Sequence, residues 1–283
     1  MTPSIRRISR RALLADLGAA GVGLVILGAC GGADGDSSPT SDSDRTDPAR
    51  TTGSETGSTA EVSPSAESPT TEAPSTESPS TGPNGSVLRL QHVPLGFVSA
   101  FVLVRGDEAA IVDTGTEGSR ADIFAGLDAL GVGPSNVRHV VLTHNHGDHI
   151  GGLAGMEDDL TAATVWGGAD DITAVRTSLA LRELADGDEV FGMGVIATPG
   201  HTPGSISLFD TETGLLVAGD AVTGDGSGGL AGANPDFTPD MDTAGRSLDR
   251  LAALRPSIVA FGHGGAPVAD DAAAKLAAVA DGS

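Results

Sequence analysis

Thr143-His144-Asn145-His146-Gly147-Asp148-His149 follows directly on the apolar run Val140-Val141-Leu142 and places four potential metal ligands within six residues. Neutral imidazole and carboxylate are the usual nitrogen and oxygen donors for zinc, and a strand end turning into a helix can splay neighbouring side chains around one metal or two. Without a metal, adjacent imidazoles would repel one another on protonation and serve no packing purpose. Cys30 is the single cysteine, so intramolecular disulfides and sites needing several thiolates are both excluded. Any metal here uses His and carboxylate.

Outward from this stretch, short apolar runs bounded by Gly, Asp or Pro predict strands at 101–104, 109–112, 140–142, 195–197, 206–209, 215–218 and 258–261. Helical spacing appears at 119–130, 240–254 and 269–280, where Ala272, Leu276 and Val279 share a face. Two clusters of strands with helices outside them predict a layered α/β sandwich. Residues 87–283 hold all seven histidines and are long enough to bury a core.

HxHxDH, read as His144, His146, Asp148 and His149, resembles the signature of the metallo-β-lactamase superfamily, and further elements of that family follow in register. Ala109-Ala110-Ile111-Val112-Asp113-Thr114-Gly115 resembles its first motif, a strand ending in Asp. Thr198-Pro199-Gly200-His201-Thr202-Pro203-Gly204 resembles the third, Leu216-Val217-Ala218-Gly219-Asp220 the fourth and Phe261-Gly262-His263-Gly264 the fifth. The resemblance implies a four-layer αββα sandwich with metals between the sheet edges. It implies His144, His146 and His201 on a first zinc, Asp148, His149 and His263 on a second, and Asp220 bridging the two. Asp148 and Asp220 are accordingly the candidate catalytic carboxylates. Asp113 is expected behind the ligands, holding the metal loop by hydrogen bonds, because a ligating imidazole needs its other ring nitrogen oriented. Two Zn²⁺ are the implied cofactor, with iron or manganese accepting overlapping donor sets. The implied reaction is hydrolysis of a lactone, ester or thioester carbonyl by a zinc-bound hydroxide.

Asp220 and His263 select the branch. β-Lactamases of the superfamily that bind two zincs commonly carry Cys or Ser where Asp220 stands, whereas glyoxalase II-like and lactonase-like members keep aspartate, and this chain resembles the latter. The 20 residues after His263 hold no counterpart of the C-terminal domain that helps glyoxalase II bind glutathione. Residues 87–283 carry 10 Lys plus Arg against 27 Asp plus Glu, a net −17 that repels an anionic thioester. The expected partner is a neutral small-molecule substrate. Three rival readings stand beside this one: a β-lactam hydrolase, a mononuclear iron persulfide dioxygenase, and a non-catalytic metal-binding lipoprotein.

Substrate-lining candidates are Phe97 and Thr223. Phe97 ends Pro94-Leu95-Gly96-Phe97, a turn between strands, and either covers an acyl group or belongs to the core. Thr223 opens a Gly/Asn/Pro-rich loop to Thr238, of the kind that lines active sites. Its glycines are not a phosphate loop, since no Gly-Lys-Ser/Thr follows. His92 and His139 stand outside any motif, and Trp166 reads as packing under a sheet.

The first 29 residues read as an export address. Ser9-Arg10-Arg11-Ala12-Leu13-Leu14 resembles a twin-arginine signal, and the apolar run from Leu17 to Ala29 is shorter than the ~20 residues of a membrane-spanning helix. Leu27-Gly28-Ala29-Cys30 resembles a lipobox, which implies signal cleavage before Cys30 and lipidation of its thiol; an uncleaved anchor is the alternative. Residues 30–86 are expected to be a disordered stalk, with Pro64, Pro69, Pro74 and Pro79 at five-residue spacing and Val62 the lone large apolar side chain. As a coil this stalk spans roughly 40 Å. The expected location is the cell envelope, lipid-anchored to the outer face of the plasma membrane or the periplasmic side. A net charge of −22 leaves no basic surface for nucleic acid. The acidic, Lys-poor composition fits both a halophile and a high-GC genome.

Overall fold

The computed structural model describes residues 87–282; the export signal, Cys30 and the proline-rich stalk lie outside the described residues. One sheet holds six strands in chain order: β1 (Arg89–Leu95), β2 (Val98–Arg105), β3 (Glu108–Val112), β4 (Val137–Leu142), β5 (Thr164–Gly168) and β6 (Ala180–Leu184). β1 to β3 form an antiparallel meander, and β3 to β6 run parallel. The parallel crossovers carry α1 (Arg120–Ala129), α2 (Gly147–Ile150) and α3 (Ala169–Ile172). The second sheet has β7 (Glu189–Val190), β8 (Met193–Ala197), β9 (Ile206–Asp210), β10 (Leu215–Val217) and β13 (Ile258–Ala260), in the order β13-β10-β9-β8-β7. Between β10 and β13 come a separate hairpin, β11 (Val222–Gly224) with β12 (Leu230–Gly232), and α4 (Met241–Ala253); α5 (Ala272–Asp281) follows β13.

Alternation along the strands builds the layers. β2 turns Ala100, Val102 and Val104 toward Ile123 and Leu127 of α1, and turns Phe101 and Leu103 toward Val195, Leu208 and Val217 of the second sheet. β10 gives Leu215 and Val217 to that inter-sheet layer, while Leu216 faces Leu248 and Leu251 of α4 and Leu276 of α5. Three apolar layers therefore separate four structural ones, which is the αββα sandwich. Each fully buried Leu, Val or Phe in them contributes about 1.5–3 kcal/mol. Among the described residues, no helix is long and apolar enough to cross a membrane.

Six strands were not predicted, β1, β5, β6, β7, β11 and β12, and three of them have a clear local reason. β1 contains Pro94, which cannot donate to a ladder but is tolerated because β1 is an edge strand. β5 ends in Gly167-Gly168, where a Cβ on Gly168 would stand 2.0 Å from the Gly204 carbonyl, so glycine there serves a close backbone approach. β6 is an exposed edge strand. Two expectations need correction. The turn at Pro94–Phe97 is narrower than expected, since Pro94 and Leu95 belong to β1 and only Gly96 and Phe97 turn. The stretch from Thr223 to Thr238 is not all loop, because Val222 and Leu230 bury into the α4/α5 layer and draw the chain into the β11–β12 hairpin.

The two histidines without a motif have structural partners. Trp166 donates from Nε1 to His139 Nδ1 at 3.1 Å in the inter-sheet layer, as a packing residue should. Burial, aided by Arg138, pushes the His139 ring down to about 4, so it is neutral at pH 7. His92 bonds Ser99 Oγ at 2.9 Å and stacks on Phe101.

Candidate metal centre

Strand direction gathers the predicted ligands. β3 and β4 are parallel, and β8, β10 and β13 share one direction through the antiparallel β9 between β8 and β10. The segments leaving their C-terminal ends carry Asp113, the His144–His149 loop, His201, Asp220 and His263. Three groups of side chains there are close enough to share an ion: His144/His146/His201, His144/His149/Asp220 and Asp148/His149/His263. The first and third groups are the two triads named from the motifs, and the second adds Asp220 between them.

Within the first triad, His144 Nε2 lies 3.1 Å from His146 Nδ1 and 3.2 Å from His201 Nε2, and the last two nitrogens are 2.9 Å apart. Zn–N bonds of about 2.0–2.1 Å at tetrahedral angles put nitrogens about 3.3 Å apart, so the spacing fits one metal. In the other triad, His263 Nε2 is 3.2 Å from Asp148 Oδ2 and 3.3 Å from His149 Nε2. Asp220 reaches both, with Oδ2 3.2 Å from His263 Nε2 and 3.4 Å from His201 Nε2. Its Oδ1 is 3.4 Å from His149 Nε2 and accepts no hydrogen bond, an orphaned buried acceptor.

The outward ring nitrogens explain why the inward ones are bare. Asp113 sits at φ 60, a left-handed conformation that Asp tolerates, and its carboxylate accepts from Thr143 N, Thr143 Oγ1 and His149 Nδ1, each at 2.8 Å. Thr143 Oγ1 spends its proton on Asp113, so it accepts from His144 Nδ1 at 3.1 Å. His263 Nδ1 donates to the Phe97 carbonyl at 2.8 Å, and His201 Nδ1 meets Thr238 Oγ1 at 3.1 Å. With protons committed outward, lone pairs converge inward and call for a cation.

Electrostatics agree. Burial, with the neighbouring imidazoles, pushes His144 well below the ordinary histidine value against the pull of Asp220. His201 is lowered by burial and its neighbours in the same way. Burial opposes charge on His149 as well, but Asp113 and Asp220 outweigh it and lift the ring to about 10. His263 is raised, first by Asp220. Asp220 is disfavoured as an anion by burial, yet His149 and His263 hold it below the usual carboxylate range. The site therefore combines two imidazoles kept neutral, His144 and His201, with a buried anion, Asp220, that draws positive charge to His149 and His263, a demand that a divalent metal would meet at this donor set.

Two residues of the site, Asp171 and Thr238, carried no motif. Asp171, in α3, accepts from Asn145 N at 3.1 Å, Thr202 Oγ1 at 2.5 Å and Gly204 N at 2.9 Å, so it ties the His144–His146 loop to the loop bearing His201. Thr238 lies at the far end of the loop marked as site-lining, but nothing in the sequence singled it out. Gly262 packs so closely that a Cβ would stand 2.1 Å from Asp220 Oδ1 and 2.6 Å from His149 Cε1.

A cleft of about 880 Å³ opens over the two triads, lined by His146, Asp148, His201, Asp220 and His263 together with Phe97 and Thr223. The Phe97 side chain is 67% exposed and stacks on His263 at 5.9 Å, so of its two readings the core one is excluded. His92 and His139 do not line this cleft. Arg246 donates to Thr243 Oγ1 and Arg250 pairs with Asp186; neither lines it either.

A family model described as "Metallo-beta-lactamase superfamily" matches residues 93–263. The Bacillus subtilis protein "Uncharacterized protein YobT" is 30% identical over 209 residues, which cover 63% of this chain and 88% of that protein. A hydroxyacylglutathione hydrolase of Dechloromonas aromatica is 33% identical over 168 residues, 56% of this chain and 57% of the relative, so the match spans little more than half of that enzyme. A solved metallo-beta-lactamase family protein from Thermus thermophilus superposes with a TM-score of 0.52 at 27% identity, covering 69% of this chain and 78% of the other.

Proposed function

The chain belongs to the metallo-β-lactamase superfamily of metallo-hydrolases, and on that premise we propose that it hydrolyses an uncharged lactone, ester or thioester at a dinuclear zinc centre. The observation that carries the reading is Asp220, whose buried carboxylate stands between two ligand triads with one oxygen orphaned. His144, His146 and His201 would hold one ion and Asp148, His149 and His263 the other, and Asp220 is within reach of both groups. When bound, two divalent ions supply an activated water at neutral pH and polarise the carbonyl under attack.

The chain's own residues do the remaining work. Thr143, Asp113, Thr238 and the Phe97 carbonyl fix the outward nitrogens of His144, His149, His201 and His263, so that the centre is organised before substrate arrives. Asp148, near the cleft surface beside His263, is placed to hold a proton on its way to the leaving group. Neither Lys nor Arg appears among the residues lining the cleft, which together with the net −17 supports an uncharged substrate.

A panel of lactones, simple thioesters, glutathione thioesters and a chromogenic β-lactam, assayed with the metal-loaded full chain, tests the reading. Neutral lactones or esters are expected to give the highest kcat/KM. Rising salt narrows their lead over glutathione thioesters by screening the negative field. Glutathione thioesters as best substrates at low salt would overturn the choice of substrate.

For location, we propose export with lipidation at Cys30, the reading supported by the lipobox-like Leu27-Gly28-Ala29-Cys30. Cys30→Ser is then expected to move the protein to the soluble fraction with turnover intact, because a stalk of ~56 residues decouples the anchor from the site. Membrane retention of that variant would point to an uncleaved anchor.

A further inference from the structure

Phe97, at 67%, and Phe237, at 65%, are the two most exposed large apolar side chains among the described residues, and both stand on the rim of the same cleft. Neither is on a loose segment. The Phe97 carbonyl accepts from His263 Nδ1, and its ring lies nearly parallel to that imidazole, 13° apart. Phe237 N donates to the Asn234 carbonyl at 3.1 Å and Asp236 N to Asn234 Oδ1 at 3.0 Å, in a turn framed by Pro235 and Pro239. The next residue, Thr238, holds His201. The backbone that carries each exposed ring is thus tied to a different triad, and the ring itself is not needed for that tie.

Phe237 also borders two spaces. It lines the 880 Å³ cleft and a second hollow of about 480 Å³ on the side of Thr202 and Pro203, and His146 and His201 border both. Besides the candidate metal ligands, the larger space has a stretch of small uncharged residues, Gly224, Ala231, Gly232 and Ala233, that the smaller one lacks. No Lys or Arg lines either. Away from the candidate metal ligands an anion finds no cationic side chain here, and an apolar chain finds two aromatic faces with room beside them.

We propose that Phe97 and Phe237 are specificity-determining residues that grip the apolar acyl part of an uncharged ester or lactone in the larger space, with Phe237 on the border it shares with the smaller. This rests on the hydrolase reading and narrows its substrate class. Acyl-chain length is the variable the clamp reads, because each methylene brought between the rings leaves water.

Two measurements on the full chain test it separately from that reading. Calorimetric binding of 2-alkanones of six to twelve carbons, which cannot be hydrolysed, needs no turnover. Affinity is expected to rise up to about 3- to 4-fold per methylene. In Phe97→Ala and in Phe237→Ala the gain should fall below about 2-fold per methylene as one aromatic face is lost. Met241→Ala, an exposed apolar residue outside both spaces, is expected to keep the wild-type slope. The kcat/KM of p-nitrophenyl esters from acetate to octanoate should follow the same pattern, with metal content unchanged in both Phe variants. If alkanones bind with this dependence while no ester or lactone is cleaved, the clamp stands and the hydrolase reading fails. If wild type shows no chain-length dependence in binding, or both Phe variants keep its full slope, the clamp is overturned.

Discussion

Replacing Asp220 with alanine is expected to remove hydrolysis almost entirely and to leave the protein unable to retain a full complement of metal. Its two oxygens stand within 3.2–3.4 Å of His149, His201 and His263, so a single side chain serves both triads. Apart from Asp148 the other inward donors are imidazoles, so losing Asp220 removes half the carboxylate charge that would offset two divalent ions. Losing an outer partner of a ligand typically costs about 10–100-fold, and a ligand common to both ions is expected to cost on the order of 10³-fold or more in kcat/KM. His92→Ala is the control, since His92 touches Ser99 and Phe101 and not the cleft. Turnover at saturating zinc decides the matter; an Asp220→Ala protein of wild-type activity would sink the mechanism.

The second large effect is expected at Asp113, which touches no metal position. Asp113→Ala deprives His149 of its orienting acceptor and strands Thr143 N, at a cost of about 1–3 kcal/mol for an unsatisfied buried donor. It also breaks the chain from His144 Nδ1 through Thr143 Oγ1 to the carboxylate, so both triads loosen. Zinc affinity should fall about 10–100-fold. Asp113→Asn separates the causes: its amide oxygen still accepts from Thr143 N and it tolerates the left-handed backbone, so stability is largely kept while the anion beside His149 is gone. Competition for zinc with a chelator, set beside thermal melting, distinguishes the two variants. Unchanged zinc affinity in both would show that Asp113 serves the fold alone.

These residues also show what sequence can and cannot carry. The side chains that gather at the site were legible because each lies next to a strand with an apolar run, and His144 to His149 sit in one short segment running from the end of β4 into α2. The four layers were legible in outline because β2, β3 and β10 are continuous apolar runs buried on both faces. Asp171 and Thr238 were not, since each acts across the fold on a loop distant in sequence, and an isolated Asp or Thr carries no local pattern. β1, β5 and β6 escaped for the opposite reason: proline, paired glycines and exposed polar residues weaken the strand signal wherever an edge or a close backbone approach permits them. Phe97 had even claims on core and cleft in the sequence. Its 67% exposure and its stacking on His263 decide for the cleft.

Metal stoichiometry set against turnover tests the dinuclear centre most directly. The purified full chain, stripped and then titrated with zinc, is expected to bind two ions per chain and to reach full hydrolytic activity only as the second is bound. Full turnover with a single tightly held ion per chain would contradict the account.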